Sequence, residues 1–322
     1  MSSRFVVGKV LGALATLAFV VCFNFFLFRV VESDPVANLF RGRNLSQEQR
    51  QELRHEFGLD GSKLEQFGAY LKQSAQLNFG RSYVSNEPVM SEIADRAWPT
   101  IALVGVSTVL SAVFGIMIGI VAGWRRRTKT DYGLQAFTMA GYSMPDFWLG
   151  MLLLVTFAVV LGWFPVGGIS DPNSDAGGIA LLLDQAHHMF LPALTLTLAY
   201  LGEYALVMRS SLLDTMREDY LTLARAKGLR DIMVRNRHAV PNALLPVVTL
   251  TAINFGFVLS GAIAVETIFS WPGLGLLSYT ALNAPDLPML QGLFLVFSAA
   301  VIFFNLVADL LYGVLDPRVR TA

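Results

Sequence analysis

The chain has 322 residues, of which 54% are hydrophobic and only 15% are charged, a composition typical of membrane proteins. The 24 Lys and Arg residues balance the 24 Asp and Glu residues, so the overall charge indicates no polyanionic partner such as a nucleic acid. The single cysteine, Cys22, excludes an intramolecular disulfide and a cysteine-based metal site.

The first predicted element is a transmembrane helix over residues 7–31. Its apolar run is close to the roughly 20 residues that span a bilayer, and no small-residue cleavage site follows, which favours an uncleaved helix over a signal peptide. Residues 32–98 are too polar to cross and predict a small helical segment on the opposite side of the membrane. Capped amphipathic helices are expected there over residues 46–57 and 62–77. The second is predicted to have an apolar stripe of Leu64, Phe67, Leu71 and Ala75.

Five further apolar runs predict the spans of a membrane core that covers residues 99–322. These runs cover residues 100–124, 133–163, 189–213, 243–269 and 292–315. Pro145 interrupts the third predicted span, so we expect a kink there, or a short helix followed by the span proper. Small residues recur every four positions in the second predicted span, at Ser111, Gly115, Gly119 and Gly123. Such a stripe forms a groove for another helix, either within the bundle or between subunits.

The distribution of basic residues predicts the orientation. Lys and Arg occur at both termini, in residues 125–129 and in the long polar loop over residues 214–242, named here the basic loop. The loops over residues 164–188 and 270–291 contain neither. Because basic residues concentrate on the cytoplasmic side, we expect six spans with both termini in the cytoplasm.

A pattern of helix, break and helix covers residues 219–246, which contain most of the basic loop and have the sequence DYLTLARAKGLRDIMVRNRHAVPNALLP. Gly228 is predicted to stop the first helix in a left-handed conformation. Asp231 is predicted to N-cap a second short helix, which Pro241 with Asn242 would end. The small residues Ala224, Ala226 and Gly228 would let another backbone approach closely.

This loop resembles the cytoplasmic EAA loop of permease subunits of ABC importers. Thr222, Leu223 and Ala224 stand in its first three places and Gly228 in the fourth, while His238, Val240 and Pro241 stand in the last. The sequence ARAKGL, followed by RHAVPNALLP, is similar to the sequences of the dipeptide, oligopeptide and nickel permease branch of that family. The segment ETIFSWPGLG, residues 266–275, resembles that branch's second motif.

The resemblance implies an all-α polytopic membrane protein with six transmembrane helices and the type I ABC importer permease fold. It implies a permease subunit in the bacterial cytoplasmic membrane, which imports peptides or related small solutes. Its expected partners are a second homologous permease, two ATP-binding subunits and an extracytoplasmic substrate-binding protein, besides the lipid bilayer. The basic loop would hold the coupling helix that docks into the ATPase, at Thr222, Leu223, Ala224, Arg225, Ala226, Lys227, Gly228 and Leu229.

Three polar residues within the predicted spans are candidates for the translocation path: Glu203, Asn254 and Glu266. Ionisable groups in a membrane are costly and indicate function, although structural hydrogen bonds between helices explain many of them. The adjacent His187 and His188, with Asp184 one turn before, are a weak metal signal that interfacial polar residues explain better. We therefore predict no metal site and no catalytic residues.

The chain contains no G-x-x-x-x-G-K-[ST] phosphate loop, so it is predicted to bind no nucleotide or other cofactor itself, and the energy for transport must come from a partner or an ion gradient. The resemblance implies a partner, namely ATPase subunits that hold ATP and Mg. A permease for nickel or another chelate is one alternative. An ion-coupled carrier that uses Glu203 and a non-transport membrane scaffold are two others. The basic loop favours the ATP-driven permease, because neither the carrier nor the scaffold needs a docking surface there.

Overall fold

A computed structural model of the protein describes residues 3–31, 61–172, 177–256 and 262–315. Within these ranges the regular secondary structure is helical, apart from one isolated β-bridge between Arg81 and Pro88. The predicted all-α class is thereby confirmed. The helix predicted over residues 46–57 lies outside the described residues.

The helices before the basic loop are α1 (Ser3–Phe25, continued by a π-helical turn over Phe26–Val31), α2 (Lys63–Ala75), α3 (Val89–Trp124), α4 (Lys129–Ser143), α5 (Asp146–Leu153, continued by a π-helical turn over Leu154–Val160) and α6 (Ile179–Thr215). Those of the basic loop and beyond are α7 (Asp219–Ala226), α8 (Asp231–Val234), a π-helical turn over Arg235–Ala239, α9 (Val240–Ala243), α10 (Leu245–Gly256), α11 (Ile263–Ile268), α12 (Leu274–Asn283) and α13 (Leu287–Leu315).

Four helices of the described part are each long and apolar enough to cross a membrane, namely α1, α3, α6 and α13. Helices α4 and α5 stand at the third predicted span and are bent by 100° at the break between Ser143 and Asp146. Pro145 lies in this break, as predicted, because proline cannot continue a helix without a kink. The fifth predicted span corresponds to the shorter apolar helix α10 and to α11, which residues 257–261 separate. The count of six spans stays a prediction.

Two spanning helices are longer than their apolar runs indicated. Helix α3 begins at Val89 rather than at residue 100, and α6 begins at Ile179 rather than at residue 189. At a rise of about 1.5 Å per residue, helices of 36 and 37 residues extend well beyond the roughly 30 Å apolar layer. Helix α3 therefore runs without a break across the boundary placed after residue 98.

The small-residue groove of α3 packs within the chain, against α6. A Cβ added at Gly115 would lie 2.9 Å from the Leu201 carbonyl oxygen, and one at Gly119 would lie 2.7 Å from the Ala205 carbonyl oxygen. Ser111 extends the contact by donating to the Thr197 carbonyl oxygen at 3.2 Å. The absence of side chains at the glycines lets the two helix backbones come into direct contact, which answers the question that the sequence left open.

Helix α2 confirms one part of its prediction and corrects another. Ser62 is the N-cap and forms a capping box with Glu65, whose pKa is lowered because the Ser62 amide and hydroxyl donate to the carboxylate. Of the predicted apolar stripe only Phe67 packs against α1, since Leu64 is 82% exposed and Leu71 is exposed, while Tyr70 is buried. Tyr70 packs against Phe25 of α1, so the contact with α1 rather than the helix's own periodicity decides which face is buried.

Candidate functional site

The basic loop begins with the two-turn helix α7, which lies against the ends of the spanning helices. Leu221 and Ala224 are buried on its inner face. They join a cluster that contains Met208 and Leu212 of α6 and Val234 of α8. The loop is thus anchored to the membrane core by apolar packing.

Gly228 ends the α7 turn with φ +77°, as the sequence predicted. A Cβ added at Gly228 would meet no atom within 4 Å. The residue is therefore required for its left-handed backbone and not for close packing inside the chain. The open space beside it is available to another molecule.

Two details of the loop differ from the sequence prediction. Asp231 is the first residue of α8 and not its N-cap, a place that Arg230 takes without a side-chain hydrogen bond. Pro241 does not end the helix, because the chain continues through α9. The π-helical turn over Arg235–Ala239 ends two residues before this proline. Its wider turn accommodates a ring that would otherwise clash with the preceding turn and leave one hydrogen bond unmade.

The outer face of the loop combines basic and apolar side chains. Thr222, Ala226, Lys227 and Gly228 are exposed there, and Leu229 is half-buried. Leu223 is 57% exposed and Ile232 is 58% exposed, which is unusual for large apolar side chains on a charged loop. Ala224 lies on the opposite, buried face, so its small side chain serves packing inside the chain and not the approach of a partner.

A second connection fixes the loop to α3. The indole Nε1 of Trp124 donates to Asp231 Oδ2 at 2.9 Å, and the Arg225 guanidinium lies 6.0 Å from the centre of the Trp124 ring. Arg225 Nε also lies 3.7 Å from Asp231 Oδ1. These contacts join α7, α8 and the end of α3. Trp124, the last residue of α3, therefore orients the basic loop.

A buried ion pair that the sequence did not predict connects α4 with α6 near the basic loop. Arg209 donates from Nε and Nη2 to the two carboxylate oxygens of Asp131, each at 2.9 Å. Asp131 is 1% exposed and also accepts from the backbone amide of Arg127 at 2.9 Å. The pair holds the 125–129 turn against α6. The feature of the sequence that could have indicated this ion pair is the position of Asp131 directly after the basic residues of that turn.

Two of the predicted path residues lie together between α6 and α10. The Asn254 amide donates to Glu203 Oε2 at 3.4 Å and to the Tyr204 hydroxyl at 3.2 Å. Glu203 is half-buried, and no Lys, Arg or His of the described residues forms a salt bridge with it. Glu203 and Asn254 thus belong to one polar group in the middle of the bundle.

The third predicted path residue, Glu266, lies elsewhere and is fully buried. Its Oε2 accepts from the backbone amides of Gly275 and Leu276 at 2.7 and 3.0 Å, at the N-terminus of α12. Its Oε1 accepts from the Thr100 hydroxyl at 2.9 Å, and Thr100 in turn accepts from the Leu274 amide. A carboxylate suits a helix N-terminus. This geometry favours a structural role, in which Glu266 joins α3, α11 and α12.

Glu266→Ala is expected to lower the free energy of unfolding by about 3 kcal/mol or more, because each orphaned buried donor costs about 1–3 kcal/mol. Glu266→Gln should be milder, since the amide oxygen can still accept from α12. The measurement is denaturant unfolding of the purified protein in detergent micelles. Glu87→Ala is the control, because Glu87 is exposed. Equal stability of Glu266→Ala and Glu87→Ala would contradict the capping role.

The histidine pair lies within α6 rather than at a junction between loop and helix. His187 Nε2 is 3.0 Å from the Trp163 carbonyl oxygen, and His188 Nδ1 is 3.2 Å from Asp184 Oδ1. Among the residues that the structure describes, no group of three or more His, Cys, Asp or Glu side chains is arranged to hold a metal ion. The His187 contact connects α6 with the preceding loop, whereas the His188 contact lies within α6.

Comparison with known proteins gives full-length relatives. A glutathione transport system permease protein GsiC of Escherichia coli strain K12 is 37% identical over 318 residues, covering 98% of this chain and 99% of the relative. A di/tripeptide transport system permease protein DppB of Pseudomonas aeruginosa is 36% identical, covering 98% of each chain. A putative peptide permease protein of Brucella ovis is also 36% identical.

A solved structure and two family descriptions agree with these relatives. The inward-facing MetNI methionine ABC transporter matches with a TM-score of 0.55 at 15% identity, covering 70% of this chain and 97% of that chain, which shows the ABC importer permease fold. The family model for the N-terminal part of binding-protein-dependent transport system membrane components matches residues 2–104. The description "Binding-protein-dependent transport system inner membrane component" matches residues 115–321. The chain therefore belongs to the family of inner-membrane components of binding-protein-dependent transport systems.

Proposed function

We propose that this chain is the permease subunit of an ATP-driven importer of short peptides or related small solutes, and that the basic loop docks into its ATPase. The observation that carries the proposal is the outer face of α7, where Leu223 is exposed and open space surrounds Gly228. The inner face of the same helix is packed on α6. A surface that is apolar and exposed on one side and anchored to a span on the other can transmit motion.

The substrate class is supported by the solutes for which the relatives are named. The Escherichia coli relative is named for glutathione transport and the Pseudomonas aeruginosa relative for di/tripeptide transport. Both are similar to this chain over nearly its whole length, and both named solutes are short peptides. We therefore assign short peptides to this permease, and we propose that Glu203 and Asn254 contact the solute on its path.

The complete transporter in this proposal contains a second homologous permease, two ATP-binding subunits with ATP and Mg, and an extracytoplasmic substrate-binding protein. The basic loop and both termini lie in the cytoplasm, and residues 32–98 form the extracytoplasmic segment. The basic residues at 125–129 and in the basic loop support this orientation, since short cytoplasmic loops collect Lys and Arg. The membrane core covers residues 99–322.

The purified chain alone is expected not to hydrolyse ATP, whereas the complete complex should couple hydrolysis to uptake of a radiolabelled dipeptide in liposomes. The reason is that the sequence lacks a phosphate-binding loop. Uptake should stop when ATP is replaced by a non-hydrolysable analogue. Uptake by this chain alone under a proton gradient, with loss in Glu203→Gln, would instead support an ion-coupled carrier.

A further inference from the structure

The 125–129 turn between α3 and α4 concentrates positive charge that the described part of the chain leaves uncompensated. Four of its five residues are basic and exposed, namely Arg125, Arg126, Arg127 and Lys129. Within the ranges that the structure describes, none of the four forms a salt bridge. The carboxylate that follows them in the chain, that of Asp131, is already paired with the guanidinium of α6. The turn therefore presents four cations to whatever lies outside it.

Hydrogen bonds fix the backbone of this turn. The Arg127 amide donates to Asp131 Oδ2 at 2.9 Å, and Arg127 has φ +63°. The Thr128 hydroxyl donates to the Arg125 carbonyl oxygen at 2.6 Å, and the same hydroxyl oxygen caps α4 by accepting from the Asp131 amide. Because Arg209 holds Asp131 in place, binding to the turn requires little further ordering of its backbone.

The turn is too short to leave the membrane surface. Helix α3 ends at Trp124, where its apolar run ends, and α4 begins at Lys129, so four residues connect the two helices. At about 3.5 Å per residue, a connection that goes out and returns reaches at most about 7 Å, and the headgroup layer is about 5–8 Å deep. Tyr132, one turn after Lys129 on α4, is 63% exposed, as is typical of a tyrosine at this interface. The four cations therefore lie at the level of the lipid headgroups.

The chemistry of the turn favours lipid phosphate over a second protein. Protein interfaces need an apolar centre, and residues 125–129 include no large apolar side chain, whereas the basic loop exposes Leu223 and Ile232. Guanidinium groups bind phosphate through two parallel hydrogen bonds, and basic clusters directly beside a spanning helix attract anionic lipids.

We propose that the 125–129 turn binds the phosphate groups of anionic phospholipids, of which phosphatidylglycerol is the probe used below. Arg126 and Lys129 contact the phosphate, together with the neighbouring arginines. The inference rests on the position and charge of the turn. It is independent of the solute and of the docking role that we propose for the basic loop.

The test measures which lipids the complete transporter retains when it is released from nanodiscs of equal phosphatidylglycerol and phosphatidylcholine, by native mass spectrometry. Both lipids carry the same acyl chains, so the headgroup charge is what differs. The double variant Arg126→Gln with Lys129→Gln is expected to lower the preference for phosphatidylglycerol at this site about thirtyfold. The reason is that each basic residue near a membrane surface contributes about fivefold.

The matched control, Arg230→Gln with Arg237→Gln, removes two exposed charges from the basic loop and should retain phosphatidylglycerol as the natural protein does. The exchange Arg126→Lys with Lys129→Arg keeps the charge and should keep most of the preference, which separates lost binding from a misfolded turn. Equal retention of phosphatidylglycerol by all variants would overturn the proposal. Loss of the ATPase subunits from Arg126→Gln with Lys129→Gln, at unchanged lipid retention, would also overturn it and would assign the turn to the ATPase.

Discussion

Gly119→Leu is expected to leave little folded protein in the membrane, because its side chain would enter space that the backbone of α6 occupies. A Cβ at this position would lie 2.7 Å from the Ala205 carbonyl oxygen and 2.7 Å from Met208 Cβ. The carbonyl belongs to a helix and cannot rotate away by itself. Overpacking that moves side chains costs about 1–3 kcal/mol, so a change that must displace a helix should cost at least that much.

The matched control is Gly105→Leu, on the same helix. A Cβ at Gly105 would meet nothing within 4 Å, so the added side chain should be tolerated and the better helix propensity of leucine should not harm folding. The measurement is the melting temperature and the yield of the detergent-extracted protein by fluorescence size-exclusion chromatography. Equal stability of the two variants would mean that the α3–α6 backbone contact is not required.

The apolar pattern predicted which parts of the chain form helices better than it predicted where those helices end. The apolar pattern marks the residues that lie in the bilayer. Helices α3 and α6 continue beyond those residues, where helix formation depends on contacts with neighbouring segments. Pro145 is the opposite case, because a covalent property of one residue dictates a local break. Gly228 is similar, since its φ of +77° is a conformation that glycine adopts without strain.

Contacts between distant residues account for what the sequence did not predict. The partners Thr100 and Glu266 are 166 positions apart, and Asp131 and Arg209 are 78 positions apart. No local pattern connects such pairs. The burial of Ala224 was missed for a related reason. Which face of the eight-residue helix α7 is buried depends on its packing against α6, and the sequence of α7 alone does not show that contact.

The same distinction applies to the small residues of the basic loop. From sequence, Ala224, Ala226 and Gly228 are equivalent candidates for a close approach by a partner. In the structure only Ala226 and Gly228 are exposed, while the apolar Leu223 and Ile232 become available beside them. The docking surface that we propose is therefore more apolar than the charge of the loop indicated.

Gly228→Trp is expected to stop dipeptide uptake and to release the ATPase subunits, although the chain should still insert into the membrane. A Cβ at Gly228 would meet no atom of this chain within 4 Å, so the substitution starts into open space. The indole would then occupy the volume that we assign to the ATPase groove. Loss of a central interface contact of about 2 kcal/mol or more weakens assembly about thirtyfold.

Two further variants separate the steric effect from backbone strain. A residue with a Cβ in the left-handed region costs about 1–2 kcal/mol, but asparagine tolerates that region better than other residues do. Gly228→Asn should therefore retain most uptake. Gly162→Trp is the control for bulk, because Gly162 has φ +64° and an equally open environment but lies outside the basic loop. Arg225→Ala should be mild, since an exposed ion pair contributes about 0–1 kcal/mol.

The measurements are pull-down of the ATPase subunits and uptake of labelled dipeptide, at matched membrane levels of each variant. If docking is the role of the loop, Gly228→Trp loses both, while Gly162→Trp and Arg225→Ala keep most of both. Loss of uptake with full assembly would mean that the loop transmits motion without contributing to affinity. Full assembly and normal uptake by Gly228→Trp would leave no role for the empty space beside α7, and the loop would then be a solvated basic segment that only orients the protein in the membrane.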